Sequence, residues 1–333
     1  MALTLKPIHP LFAAEASGID LTKPIDPSTV RAIDDAMDRH AVLVFRGQPL
    51  TEEQQVAFAS SFGKLDAGLK KLNPNAPSRF KHMETIDISN VRVDGGLYGG
   101  TDRKTISNLA NQLWHSDSSF ERPAAKYSML HSVVVAARGG DTEYVDLRAA
   151  YDALPEDLKA EIANLHSVHS AMHSRIWLGD QPSAAEIAQM PPVEWPLVRT
   201  HAGSGRKVLW VGVHATHIVE KPIAEGRVLL SELLEHATQR QFVYRHEWRV
   251  GDLVIWDNRS TIHRGRRFDM TRPRELRRTT TLDPDSMRDS AQAKAAYPRA
   301  IRVRSAAPQS ASPFPSRRAS SNRRSRVTGS GRP

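Results

Sequence analysis

A chain of 333 residues, 40% hydrophobic and 25% charged, is long enough for one large domain or two small ones and has an ordinary soluble composition. It contains no cysteine, which excludes disulfides, thiolate zinc sites, iron–sulfur ligation and a cysteine nucleophile. The net charge of +9 suggests nucleic acid, but ten Lys or Arg lie from residue 290 onward with no Asp or Glu among them, and subtracting them leaves residues 1–289 at about −1.

The N-terminus, Met-Ala-Leu-Thr-Leu-Lys-Pro-Ile-His-Pro, lacks the long apolar core of a secretory signal. The longest clearly apolar run, Val133 to Ala137, is too short to cross a bilayer. A soluble, cytoplasmic protein with no membrane partner is the expectation. Asp26-Pro27 reads as a helix start, followed by Val30, Ile33 and Met37 at helical spacing. Ala41 to Phe45 is a short buried strand, and Thr51-Glu-Glu-Gln54 has the form of a capping box opening a second helix. Residues 63–110 are irregular and rich in Gly, Pro, Asn and Asp, a length that suits either a binding lid or a mobile surface loop.

Tyr127 to Ala137 predicts a central strand, Gly139-Gly140-Asp141 a turn, and Thr142 to Val145 another strand. Residues 146–166 predict helices, with Pro155 starting the second. Leu197 to Val213 resembles a hairpin around Ala202-Gly-Ser-Gly205. Glu225 to Ala237 predicts a helix with Leu229, Leu230, Leu233 and Leu234 inward. Phe242, Tyr244, His246 and Trp248 alternate as a half-buried strand should, and Leu253 to Trp256 is a short strand after a Gly-Asp turn. Many short strands with a few helices and no regular βαβ alternation predict a mainly β fold, with a double-stranded β-helix (jelly roll) core. From residue 288 to 333 Ser, Arg, Ala and Pro dominate, so the expected organisation is a folded body over 1–287 and a disordered basic tail over 288–333.

Chemistry points first to Asn111-Gln-Leu-Trp-His-Ser-Asp117. In an extended segment His115 and Asp117 face one side, giving two members of a two-histidine, one-carboxylate iron triad. A satisfied polar pair at a strand end is the other reading. Among 14 histidines, His263 stands out by context: it follows a strand and the Asp257-Asn-Arg259 turn, and lies eleven residues before Arg274. Arg274 and Arg278 share a face of the segment Arg274-Glu-Leu-Arg-Arg278, opposite to Arg277. Two arginines on a buried face imply anionic partners, and the guanidinium fork suits carboxylates; on an edge strand they would be solvated instead.

From about His9 to Asp283 the sequence resembles the Fe(II)/2-oxoglutarate dioxygenases of the taurine/2,4-dichlorophenoxyacetate dioxygenase family. The resemblance rests on Val44-Phe-Arg-Gly-Gln-Pro-Leu50, Asn111 to Phe120, Gly139-Gly-Asp-Thr-Glu143, Trp195 to Lys207, Trp256-Asp-Asn-Arg259 and Arg274-Glu-Leu-Arg-Arg278. It implies His115, Asp117 and His263 as iron ligands, Thr142 and Arg274 as the holders of the distal carboxylate of 2-oxoglutarate, and Arg278 as the holder of the substrate anion. Asn111 falls near the substrate, with His201, Lys70 and Lys71 as weaker substrate-side candidates; Trp248 and Trp256 are assigned to packing around the site. The basic tail has no counterpart in the family pattern.

The implied cofactors are Fe(II), 2-oxoglutarate as co-substrate and ascorbate as a sustaining reductant. The implied reaction takes an aryloxyalkanoate and O2, hydroxylates the carbon beside the ether oxygen, and releases a phenol and glyoxylate with succinate and CO2. A taurine or alkylsulfonate dioxygenase, a zinc hydrolase on the same three ligands, and a nucleic-acid binder acting through the tail are the alternatives. No specific nucleic acid is expected, and a homo-oligomer is left open.

Overall fold

Asp26 accepts the backbone N–H groups of Ser28 and Thr29 at 2.8 and 2.9 Å, so the first long helix starts where the sequence places it. Thr51 and Gln54 close the reciprocal capping box of the next, at 3.2 and 2.9 Å. The computed structural model describes residues 2–100 and 102–287. The segment 288–333, read above as a basic tail, lies outside the described residues.

In chain order the first half holds β1 (Thr4–Pro7), β2 (Ala14–Ser17), α1 (Pro27–His40), β3 (Val42–Phe45), α2 (Glu52–Ser60), β4 (Ile86–Ser89), α3 (Arg103–Ala110), β5 (Ala124–Val134) and β6 (Thr142–Asp146). Then follow α4 (Leu147–Asp152), α5 (Glu156–Ile162), β7 (His166–His169), α6 (Ala171–Trp177), α7 (Ala184–Gln189), β8 (Val193–Pro196), β9 (Val198–Thr200) and β10 (Lys207–Leu209). The chain closes through β11 (Ala215–Ile218), α8 (Ile223–Ala237), β12 (Val243–His246), β13 (Leu253–Asp257), β14 (Thr261–Gly265) and β15 (Glu275–Asp283).

A seven-stranded sheet runs β1-β2-β3-β13-β5-β15-β4, antiparallel except between β2 and β3. A three-stranded sheet, β12-β6-β14, faces it. Side chains of the central strand β13 alternate between two cores. Val254 and Trp256 meet Leu130, Leu276, Tyr144 and Tyr244 between the sheets. Leu253 and Ile255 point the other way, against Ile33 and Met37 of α1 and Phe58 of α2. Because both faces of β3 and β13 are buried, their sequences read as continuous apolar runs rather than alternating ones. The outer face of the small sheet packs Val145 and Ile262 against Leu229 and Leu233 of α8 and against Trp195 and Trp210. Two sheets face to face with helices outside form the expected jelly roll.

The segment 63–110 departs from its sequence reading. It contributes β4, which pairs along β15 with Ile86 opposite Arg278, and the helix α3. Four-residue β4 finds its partner far along the chain, so nothing local announces it. The hairpin of β9 and β10 is shorter than its predicted arms, with Lys207 opposite Thr200.

Candidate metal centre and active site

The site is assembled by one pair of backbone hydrogen bonds. His115 N–H donates to the His263 carbonyl at 3.0 Å, and His263 N–H returns the bond at 2.8 Å. His263 lies on β14, held in register by β6 with Tyr144 opposite it. The loop carrying His115 thereby extends the small sheet by one residue pair. Asp117 follows in a turn that Ser118 completes at φ +50°. Asn258, just after β13, fixes that turn: its side-chain oxygen accepts the Asp117 N–H at 3.0 Å, and its carbonyl accepts the Ser116 hydroxyl at 2.8 Å.

The His115 and His263 Nε2 atoms each lie 3.9 Å from an oxygen of Asp117, and the two rings are 4.1 Å apart. The donor atoms of all three residues fall within 4.8 Å of one another. His115 Nδ1 is 2.7 Å from the Leu113 carbonyl. A carbonyl only accepts, so that nitrogen carries the proton and Nε2 presents its lone pair inward. Burial lowers the pKa of His115, and burial with the neighbouring imidazole places His263 far below its usual range. Burial alone would raise Asp117, but the Arg278 guanidinium, helped by the Ser128 hydroxyl, outweighs it and holds the carboxyl well below the usual carboxylate range. Two neutral imidazoles and an ionised carboxylate are the protonation states a divalent metal requires. Nitrogen and oxygen donors without thiolate suit Fe(II), so the residues fit the implied ion.

One cavity is lined by His115, His263, Thr142, Trp256, Arg274 and Arg278, with Asn111 also at its wall. Thr142 opens β6, and its hydroxyl accepts the Trp248 indole N–H at 3.0 Å. Arg274 is buried and donates to the Gly140 carbonyl at 2.9 Å. Burial pulls its pKa down to about 10 against the attraction of Asp141. A side chain at position 140 would meet the guanidinium at 3.0 Å, which together with φ +78° requires glycine there. Arg277 turns the other way and donates to the Leu50 carbonyl at 2.6 Å and to His131 Nδ1 at 3.0 Å. The predicted opposition of Arg277 to Arg274 and Arg278 is therefore present.

Arg278 ion-pairs with Asp117, while its Nε is buried with no hydrogen-bond partner among the described residues. Asn111 ends α3, and its carbonyl accepts the Gly265 N–H at 2.8 Å. His201 is elsewhere: it bonds Asp257 and the Ser204 hydroxyl, both at 2.9 Å, and is not among the residues lining the cavity. The hairpin turn buries it against the acid of the Trp-Asp-Asn-Arg segment, which corrects its assignment to the substrate side. Lys70 donates to the Thr85 carbonyl at 2.7 Å, and Lys71 pairs with Glu121. Trp256 packs at a tilt of 53° against the His263 ring, 4.6 Å away, and donates to Asn258.

Three contributors escaped the sequence reading. Ser128 donates to Asp117 at 2.7 Å and accepts from the Asn258 amide at 3.0 Å, steadying the carboxylate. His214, buried with an Nδ1 that has no hydrogen-bond partner among the described residues, sits edge-on to His115 at 6.1 Å. Arg175 on α6 adjoins His115 and Asp117 in a second opening of the site. Asn258 lay within a quoted motif; a lone serine, histidine and arginine outside any motif gave no signal.

A jelly roll that gathers two imidazoles and a carboxylate at the floor of a cationic cavity is the framework of a mononuclear non-haem metal enzyme. The chain belongs to the family described as "Taurine catabolism dioxygenase TauD, TfdA family", which matches residues 4–280. It is 59% identical over 284 residues to an alpha-ketoglutarate-dependent 2,4-dichlorophenoxyacetate dioxygenase of Cupriavidus pinatubonensis (strain JMP 134 / LMG 1197), covering 85% of this chain and 99% of that one. It is 36% identical to an (S)-phenoxypropionate/alpha-ketoglutarate-dioxygenase of Sphingobium herbicidovorans, covering 82% and 92%. Among solved structures, AAD-2 in complex with Mn(II) and N-oxalylglycine is similar with a TM-score of 0.78 and 44% identity, over 85% of this chain and 97% of that one.

Proposed function

We propose that this dioxygenase uses Fe(II) and 2-oxoglutarate to hydroxylate the carbon beside the ether oxygen of 2,4-dichlorophenoxyacetate or a related aryloxyalkanoate. The observation that carries the reading is the meeting of His115, Asp117 and His263, whose two imidazoles line one cavity together with Arg274 and Arg278. Bound by those three residues, the ferrous ion supplies the oxidative chemistry, in which O2 and 2-oxoglutarate yield succinate, CO2 and one oxygen atom for a substrate C–H bond. The hydroxylated ether carbon then sheds the phenol and leaves glyoxylate.

The chain's own residues select and orient. Arg274 and Thr142 take the distal carboxylate of 2-oxoglutarate, in a wall dry enough to strengthen the pairing. Arg278 takes the substrate carboxylate, for which its unpartnered Nε offers a donor. Holding both anions sets the methylene near the metal and makes the encounter a near-attack geometry. Asn111 borders the same space. Residues 1–287 carry this chemistry, and the segment 288–333 takes no part in it. Among the described residues no helix is long and apolar enough to cross a membrane. A cytoplasmic setting, which supplies 2-oxoglutarate and keeps iron ferrous, suits the reaction.

The test is oxygen uptake with Fe(II), 2-oxoglutarate and ascorbate over a panel of phenoxyacetates, phenoxypropionates and taurine. Phenol release from phenoxyacetates at the fastest rate is expected. Uptake driven by taurine and not by phenoxyacetates would overturn the substrate assignment.

A further inference from the structure

Beyond the metal cavity lies a second one, and the two share Arg278 and Asn111. Its walls carry five cations, Lys70, Arg79, Lys104, Arg175 and Arg278, against a single carboxylate, Asp87. Two of the five are matched: Arg79 pairs with Glu275, and Arg278 with Asp117. The other three bond only neutral oxygens: Lys70 the Thr85 carbonyl, Lys104 the Asp87 backbone carbonyl and Arg175 the Ala171 carbonyl, each at 2.7 Å, with Lys70 also reaching the Ser78 hydroxyl at 3.2 Å. Among the described residues none of these three is ion-paired to a carboxylate. They come from different elements, Lys104 from α3 and Arg175 from α6, and meet only in the folded chain. Burial depresses the pKa of each, and for Lys104 the neighbouring cations Arg278, Lys70 and Arg79 add to it.

A partly enclosed cavity lined by one sign of charge focuses its field and concentrates ligands of the other sign. The 2-oxoglutarate anchor, Arg274, does not line this second space, so the anion it favours is a different one. Arg278 stands where the two cavities join, and Arg175 also borders His115 and Asp117. An aryloxyalkanoate has a charged end and an apolar ring, and only the charged end gains from such walls.

We propose that Lys104 and Arg175 act with Arg278 as a cradle for the substrate carboxylate, so that they set the preference for anionic substrates and point the acid end towards the second cavity. This rests on the aryloxyalkanoate reading above. Lys104 and Arg175 add the charge that Arg278, engaged with Asp117, does not supply alone.

The experiment compares full-length Lys104→Met, Arg175→Met and Lys104→Arg enzymes with the unaltered one, using 2,4-dichlorophenoxyacetate at low and high salt. KM for the aryloxyacetate rises about tenfold in each methionine variant, KM for 2-oxoglutarate stays within about twofold, and Lys104→Arg recovers most of the loss. The salt dependence of the aryloxyacetate KM also weakens when either cation is removed. Calorimetric titration of the aryloxyacetate under nitrogen reads the same loss as binding. Unchanged aryloxyacetate KM, or equal rises in both KM values, overturns the cradle while leaving the substrate reading intact. If the unaltered enzyme ignores phenoxyacetates, both fall together. Should Lys104→Met fail to fold, Arg175→Met carries the same comparison from a separate helix.

Discussion

At the scale of single residues the site depends on three donors with little redundancy. Replacing His263 by alanine leaves one imidazole and one carboxylate, too few to hold a ferrous ion firmly. Loss of 2-oxoglutarate turnover, read as succinate formation, is expected, with little change in far-UV circular dichroism. A rate within a few fold of the unaltered enzyme would remove His263 from the ligand set. His115 and Asp117 were legible because their spacing is itself a geometric statement, and Arg274 and Arg278 because a strand alternates. His201 and His214 show where that legibility stops. One was chosen for its motif and proves to be bonded to Asp257; the other has no motif and borders the metal donors. Which of 14 histidines reaches the cavity is decided by strand pairing between distant segments, which one-dimensional spacing does not encode.

Among secondary-structure elements, the parts written in local chemistry were read correctly. The Asp26 cap, the Thr51–Gln54 box and the doubly buried β3 and β13 follow from neighbouring residues alone. Thr51→Ala removes the acceptor for the Gln54 N–H and should cost about 1 kcal/mol, seen as a fall in Tm of roughly 2 °C. An unchanged Tm would mean that packing of Phe58 and Ala59 alone fixes the start of α2. The stretch 63–110 was misread as irregular for the opposite reason. Its strand β4 is defined by β15, and its helix α3 buries only Thr105, so it presents no broad apolar stripe. The charged walls of the second cavity come from this stretch, from α6 and from β15, which is why their convergence was invisible in the sequence.

For the molecule as a whole, buried neutral histidines tie stability to acidity. His169 stacks on Trp210 within the core, and burial lowers its pKa from 6.5 to about 3. The unfolded chain takes up a proton there below pH 6.5 and the folded chain does not until about pH 3. Its contribution is therefore complete above the unfolded pKa and declines as pH falls between those two values, by up to about 1.4 kcal/mol per unit. His169→Gln should flatten the acid limb of a pH–stability curve measured by urea unfolding; an unchanged slope would show that His169 is not responsible. The reciprocal bonds between His115 and His263 join opposite halves of the sequence. While the polypeptide is emerging from the ribosome, two legs of the tripod exist long before the third is translated. An unfinished chain thus offers iron only a weak, two-pronged grip. The full set of three donors exists only once β14 has been made and paired with the loop that carries His115.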